Sequence, residues 1–111
     1  MVNEDWIIQR VSGICVRKYG SDYNFDTPAA FIKVSNEPAN SFAWRAGIEV
    51  YVVYKETDDF NQIVSGIEQA LKTSNDIYIY SIQRQIEGEE ILTNGYYTKQ
   101  VVITILYEEV D

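Results

Sequence analysis

Apolar and polar positions alternate most clearly between Phe42 and Lys55. Ile48, Val50, Val52 and Tyr54 fall on one side, and Glu49, Tyr51, Val53 and Lys55 on the other. A period of two belongs to a strand, so this run predicts the strongest strand of the chain, with the first set in the core and the second facing solvent or a contact surface. The period then changes. Phe60, Ile63, Val64, Ile67 and Leu71 recur at helical spacing, with Gln62, Glu68, Gln69 and Lys72 on the wet side and Thr57 or Asp58 placed to cap a helix over Asp58–Leu71. Gly66 costs that helix about 1 kcal/mol relative to alanine, which either a close approach to the sheet or simple tolerance explains. Thr73-Ser74-Asn75-Asp76 ends it.

Weaker patterns fill the rest. Asn3 caps a short helix with Glu4 and Asp5 in its first turn, and Ile7, Val11 and Ile14 form its apolar stripe up to a stop at Gly13. Ile14 to Tyr19 reads as a strand, residues 20–28 as a loop, and Phe31 to Val34 as a short strand ended by Asn36-Glu37-Pro38-Ala39-Asn40. A central strand should not run through Pro38, which has no amide hydrogen to donate. Ile77, Ile79 and Ser81 alternate with Tyr78, Tyr80 and Ile82 before strand character fades near Gln85. Glu87 to Gly95 reads as a long acidic loop or hairpin tip with Asn94-Gly95 as its turn, and Tyr96 to Tyr107 as a strand that is central or covered on both sides. This order predicts an α+β fold over residues 1–111: an antiparallel or mixed β-sheet with one main and one short helix packed on one face.

Composition narrows the class. The chain has 111 residues, 46% of them hydrophobic and 23% charged, which suits one folded domain. Nine Lys and Arg against 17 Asp and Glu give a net charge of −8, with Glu87, Glu89, Glu90, Glu108, Glu109 and Asp111 in the last quarter. That balance disfavours gripping nucleic acid through its phosphates. It suits solubility, a basic protein partner, or a wall along which DNA slides, and a plain solvated face explains it equally well. Cys15 is the single cysteine, so no intrachain disulfide is expected, and it reads as a small buried residue of a chain made in a reducing cytoplasm. Met1-Val2-Asn3-Glu4-Asp5 does not open like a signal peptide, and the apolar runs are short for a membrane span, so a soluble, unexported protein is expected.

Candidate chemistry is sparse. The chain has no histidine, no glycine-rich phosphate loop and no ligand cluster with metal spacing. Glu49 is the one carboxylate with a hint of burial, and its alternation places it outward. Glu87, Glu89 and Glu90 do not match a calcium loop. No catalytic residue, cofactor or metal is therefore expected, and the sequence reads as a part assembled into something larger. Nine tyrosines in 111 residues fit either strand propensity or a protein–protein contact. Tyr51, Tyr78, Tyr80, Tyr96, Tyr97 and Tyr107 fall in strands, where not all can be buried with their hydroxyls satisfied. Tyr51, Tyr96 and Tyr97 are the contact candidates, and Arg45, beside Trp44, is a candidate anchor able to stack and bind a carboxylate.

With these residues in view, the chain resembles the tail-terminator or tail-completion (head–tail joining) proteins of long-tailed bacteriophages. The shared pattern is Thr27-Pro28-Ala29-Ala30-Phe31-Ile32, the entry Phe42-Ala43-Trp44-Arg45 into Ile48-Glu49-Val50-Tyr51-Val52, the helix to Leu71, a strand, a variable loop, and a closing strand after Gly95-Tyr96-Tyr97. The resemblance implies a structural virion protein, not an enzyme, in a ring that is commonly a hexamer. Such a ring ends growth of the tail tube at its head-proximal end and joins tail to head. It implies a place in the virion tail, assembled in the host cytoplasm, with the tail-tube protein and the head connector or stopper as partners. DNA passes through without specific binding, and no membrane is involved. Neighbours would meet through strand edges near the Ile86–Tyr97 hairpin, with Arg45, Tyr51, Glu87, Glu89, Glu90, Tyr96 and Tyr97 as interface candidates. A head-completion stopper, a tail-tube protein, or a small bacterial ligand-binding or regulatory domain with one apolar pocket are the alternatives.

Overall fold

The computed structural model describes residues 1–21, 28–93 and 95–110, and for residues 86, 87 and 89–93 the backbone alone. The elements are α1 (Glu4–Ile8), β1 (Cys15–Lys18), β2 (Ala29–Pro38), β3 (Trp44–Tyr54), α2 (Phe60–Thr73), β4 (Ile77–Thr93) and β5 (Tyr96–Glu109). They form a mixed five-stranded sheet in the order β1-β2-β3-β5-β4. Only β1 and β2 run parallel, and the other neighbours are antiparallel. The fold is α+β, with both helices on one face.

The core follows from register. Ile32 lies opposite Val50, which lies opposite Val101; Ile48 lies opposite Ile103, and Ala46 opposite Ile105. Opposed residues share a face, so these side chains make one apolar surface. Phe60, Ile63, Val64, Ile67 and Leu71 of α2 close onto it in a single buried cluster. Asp59, not Thr57 or Asp58, caps α2: its Oδ1 accepts from the Asn61 and Gln62 amides at 3.0 and 3.3 Å. Asp58 instead closes the preceding turn, accepting from the Lys55 amide at 2.8 Å, so the helix starts later than the sequence suggests. A Cβ at Gly66 would meet nothing within 4 Å, so tolerance explains this glycine and close packing does not.

Several boundaries differ from expectation for local reasons. Helix α1 has the Asn3 cap, whose Oδ1 accepts from the Trp6 amide at 2.8 Å, but it stops at Ile8. Val11 and Ile14 pack at the core's margin from outside the helix. Strand β2 extends to Pro38, because β1 pairs only with Ala29–Ile32 and nothing on that side needs the amide hydrogen that Pro38 lacks. Strand β5 is central, but no helix covers its second face, where Val102, Thr104 and Leu106 stay half-exposed. Cys15 is half-buried at the start of β1.

Strand β4 departs most. It does not fade near Gln85 but pairs with β5 as far as Thr93↔Tyr96, so the acidic excursion is strand backbone and not a loop. Two bulges interrupt it. The first, between Ile79 and Ser81, shifts the alternation by one residue and turns Ile82 toward the core and Ser81 away, the reverse of the simple period. The second falls between Glu87 and Ile91, where Gly88 takes φ 77°, a left-handed backbone that favours glycine.

The segment before β1 is tied down by polar contacts. The Val2 amide donates to Tyr107 Oη at 3.2 Å, the Tyr107 hydroxyl donates to Asn36 Oδ1 at 2.7 Å, and Asn36 Nδ2 donates to the Val2 carbonyl at 2.7 Å. Tyr107 is fully buried, which pushes its hydroxyl pKa up. Asp76, just before β4, accepts from Trp6 Nε1 and from Arg10 Nη2, both at 2.9 Å. The Trp6 hydrogen bond, with the Arg10 charge, holds the Asp76 carboxyl below its usual range despite the opposing effect of burial.

Two predictions follow from this packing. Ile67→Ala is expected to destabilise the fold by about 2–5 kcal/mol, while Gly66→Ala, one position away, stabilises it by up to about 1 kcal/mol. Urea denaturation reads both, and a loss below about half a kcal/mol for Ile67→Ala means that α2 does not form the core. Tyr107→Phe strips the hydroxyl from the Val2–Asn36 ring and leaves buried polar groups unpaired, at a cost of about 1–3 kcal/mol in the same assay. A neutral result shows that the three groups find other partners.

Candidate interaction surface

Among the described residues, no helix or further strand lies on the face opposite the helices or along the outer edge of β4. On the open face, cross-strand register brings Phe31, Tyr51 and Gln100 into one row, Lys33, Glu49 and Val102 into the next, then Ser35, Gly47 and Thr104, then Glu37, Arg45 and Leu106. Aromatic, charged and small residues thus lie in bands across the strands. The band at Gly47 is a shallow depression of about 300 Å³ lined by Ser35, Asn36, Glu37, Arg45, Gly47 and Thr104. One corner is closed: Ala29 and Val53 are buried, and the Tyr19 ring lies against Tyr51 with centroids 4.6 Å apart. Val53 shares the face of Tyr51, as its alternation predicts, but is buried there.

The sheet's two edges are handled differently. On the β1 side, β1 stops after pairing with Ile32, and the Glu4 carboxylate takes the next outward amide, that of Val34, at 2.9 Å. The β4 side ends the sheet. There Arg84 reaches back over α2: Nε donates to Glu68 Oε1 at 2.7 Å, Nη2 makes an ion pair with the same oxygen, and Nη2 also donates to Ser65 Oγ at 3.3 Å. Glu68 is therefore a brace and not a plainly solvated side chain. Further along, a groove of about 350 Å³ runs beside Ile77–Ile82, with Leu71 and Lys72 on its helix side.

The interface candidates do not form one cluster. Arg45 lies exposed on the open face and pairs with Glu37 Oε1 at 3.4 Å. It binds a carboxylate as expected but is turned away from Trp44, which packs toward the core, because neighbours along a strand face opposite sides. Tyr51 shares that open face and accepts from Gln100 Nε2 at 3.4 Å. Tyr96 meets Lys55, whose Nζ lies 5.4 Å from the ring centre. Tyr97 belongs to the helix side, stacked on Tyr54 at 5.6 Å, and serves packing. The backbones of Glu87, Glu89 and Glu90 lie at the second β4 bulge, with Glu87 opposite Gln100, and their side chains lie outside the described residues.

The most exposed tyrosines among the described residues lie outside the set of interface candidates, although Tyr78 and Tyr80 belong to the surplus of strand tyrosines. Tyr19, Tyr78 and Tyr80 have 57%, 58% and 48% of their surface free. Tyr78 and Tyr80 meet edge to face at 4.9 Å, and the Tyr80 hydroxyl donates to Glu108 Oε2 at 2.6 Å. That hydrogen bond to a carboxylate raises the Tyr80 pKa. Among the described residues no group of three His, Cys, Asp or Glu is placed to hold a metal ion, and no helix is long and apolar enough to cross a membrane. A depression of about 470 Å³ between Ser12–Ile14 and the start of α2 is open and mixed in character. Neither a family model nor a curated protein matches the chain.

The two candidate types separate in a stability assay. Arg45→Ala breaks an exposed pair and should change folding stability by less than about 1 kcal/mol, whereas Tyr97→Ala removes a packed ring and should cost about 1–3 kcal/mol. Equal losses in urea denaturation would show that Arg45 supports the fold and is not reserved for a contact.

Proposed function

We propose that this chain is a structural virion protein, a subunit of a ring that closes the head-proximal end of a phage tail tube and joins tail to head. The resemblance described above supplies the class, and the observation that carries the reading is the outer edge of β4, along which no described strand pairs. A chain that works alone blunts its sheet edges, because an open strand recruits other chains. Here the β1 side is blocked by a short strand and a carboxylate, while β4 ends the sheet with a regular stretch, Ser81–Glu87, between its two bulges. A ring requires head-to-tail contacts that close on themselves, so β4 of one subunit would meet a different surface of the next. The open face, with Arg45 and Tyr51, offers such a surface.

The remaining partners follow from that place in the particle: the tail-tube protein below, the head connector or stopper above, and DNA passing through. A net charge of −8 suits a wall that does not hold DNA. The function requires neither a cofactor nor catalysis. Because Glu87 and Ile91–Thr93 pair with β5 on either side of the bulge, cutting out the acidic segment would damage the sheet and cannot test the contact alone.

The decisive experiment removes the gene from the phage genome that encodes it, with electron microscopy of the lysate. Tubes of uncontrolled length, or tails unjoined to full heads, are expected, with normal particles restored by the chain supplied in trans. Normal virions without the protein would end this reading.

A further inference from the structure

The two bulges bracket a regular stretch of the free edge, since β4 pairs with β5 without a break from Ser81 to Glu87. At its centre, Ile82-Gln83-Arg84-Gln85-Ile86 reads the same in both directions. Antiparallel pairing of such a strand with its own copy, about a two-fold axis at Arg84, sets Gln83 opposite Gln85, Ile82 opposite Ile86 and Ser81 opposite Glu87. Glutamine therefore meets glutamine, and isoleucine meets isoleucine. We propose that the free chain closes its β4 edge with a second copy of itself through Ser81–Glu87, joining two sheets into one.

The objection to this pairing is that it opposes two Arg84 residues, and like charges directly opposite repel. In this structure each Arg84 is already committed. Its guanidinium is drawn over α2 onto Glu68 and Ser65, so charge matched within each chain is what approaches the axis. The glutamines at positions 83 and 85 are exposed, and each amide has both donors and an acceptor for its opposite number.

The bulges bend the strand at both ends of the stretch and set the length of the contact. The proposal concerns the free chain and does not rest on the ring reading. A two-fold pair is closed, and a ring that used the same edge would require its release.

Sedimentation velocity on the full chain, without tail components and up to about 1 mM, is expected to show a dimer. Combining Gln83→Lys with Gln85→Lys sets lysine opposite lysine and should give a folded monomer by circular dichroism. Combining Gln83→Glu with Gln85→Glu should do the same. Mixing the two variants sets lysine opposite glutamate at both positions and should restore the dimer as a heterodimer. A wild-type monomer over the whole range overturns the proposal, as does a lysine variant that still dimerises or a mixture that stays monomeric. Head-to-tail oligomers of the free wild type overturn it too, but leave the ring reading standing, because the gene-deletion result is independent of the free state.

Discussion

A five-stranded sheet has two faces and two edges, and this chain supplies one helix of 14 residues as the main cover for them. Most of the remaining structure depends on that shortage. The helix is spent on the middle of one face, over β3 and β5, where aliphatic side chains from both strands meet in register. The opposite face therefore carries bands of charge, small residues and aromatic rings, each tolerable half in water. What the helix does not reach is closed by other means or left open.

The region before β1 shows the first solution. A short helix has too few turns to be stable by itself, so its place is fixed by contacts with distant strands. Tyr107, Asn36 and the Val2 backbone satisfy one another in a closed ring, and Asp76 takes both Trp6 and Arg10. Each contact joins residues far apart in sequence, and together they seat α1 against β2 and the entrance to β4. The Glu4 carboxylate then occupies the Val34 amide, where β1 has run out. Hydrophobic burial builds the centre of this domain, and directed hydrogen bonds finish its margin.

Periodicity made the centre legible. The alternation in β3 and the stripe of α2 could be read because each buries one face and leaves the other wet, and both elements lie as expected apart from their ends. Polar ends were harder. Asp58 and Asp59 are both good capping residues, and only the turn that Asp58 closes decides between them. Strand β4 was misread because period-two reasoning assumes an unbroken ladder. One extra residue at the first bulge reverses the alternation at Ser81 and Ile82, and the acidic composition after Gln85 resembles a loop although the backbone pairs. The site was less legible still. Arg45 and Tyr51 do share the open face, but Tyr97 turned to packing, and the brace from Arg84 to Glu68 has no signature in local sequence.

Both proposed associations draw on one edge, and this links them thermodynamically. A two-fold pair occupies β4, so each subunit entering a ring through β4 first gives up that pairing. Micromolar pairing corresponds to about 8 kcal/mol at the standard state. The contacts offered by a tube end must exceed what each subunit loses before rings displace dimers. Raising the concentration of free chain favours both, and by mass action the assembly of more subunits more steeply. A surface that binds several subunits side by side favours the ring further, because it supplies contacts that the two-fold pair lacks. An edge left open but self-complementary thus reconciles two needs of a ring subunit, remaining soluble while free and associating where a template is present.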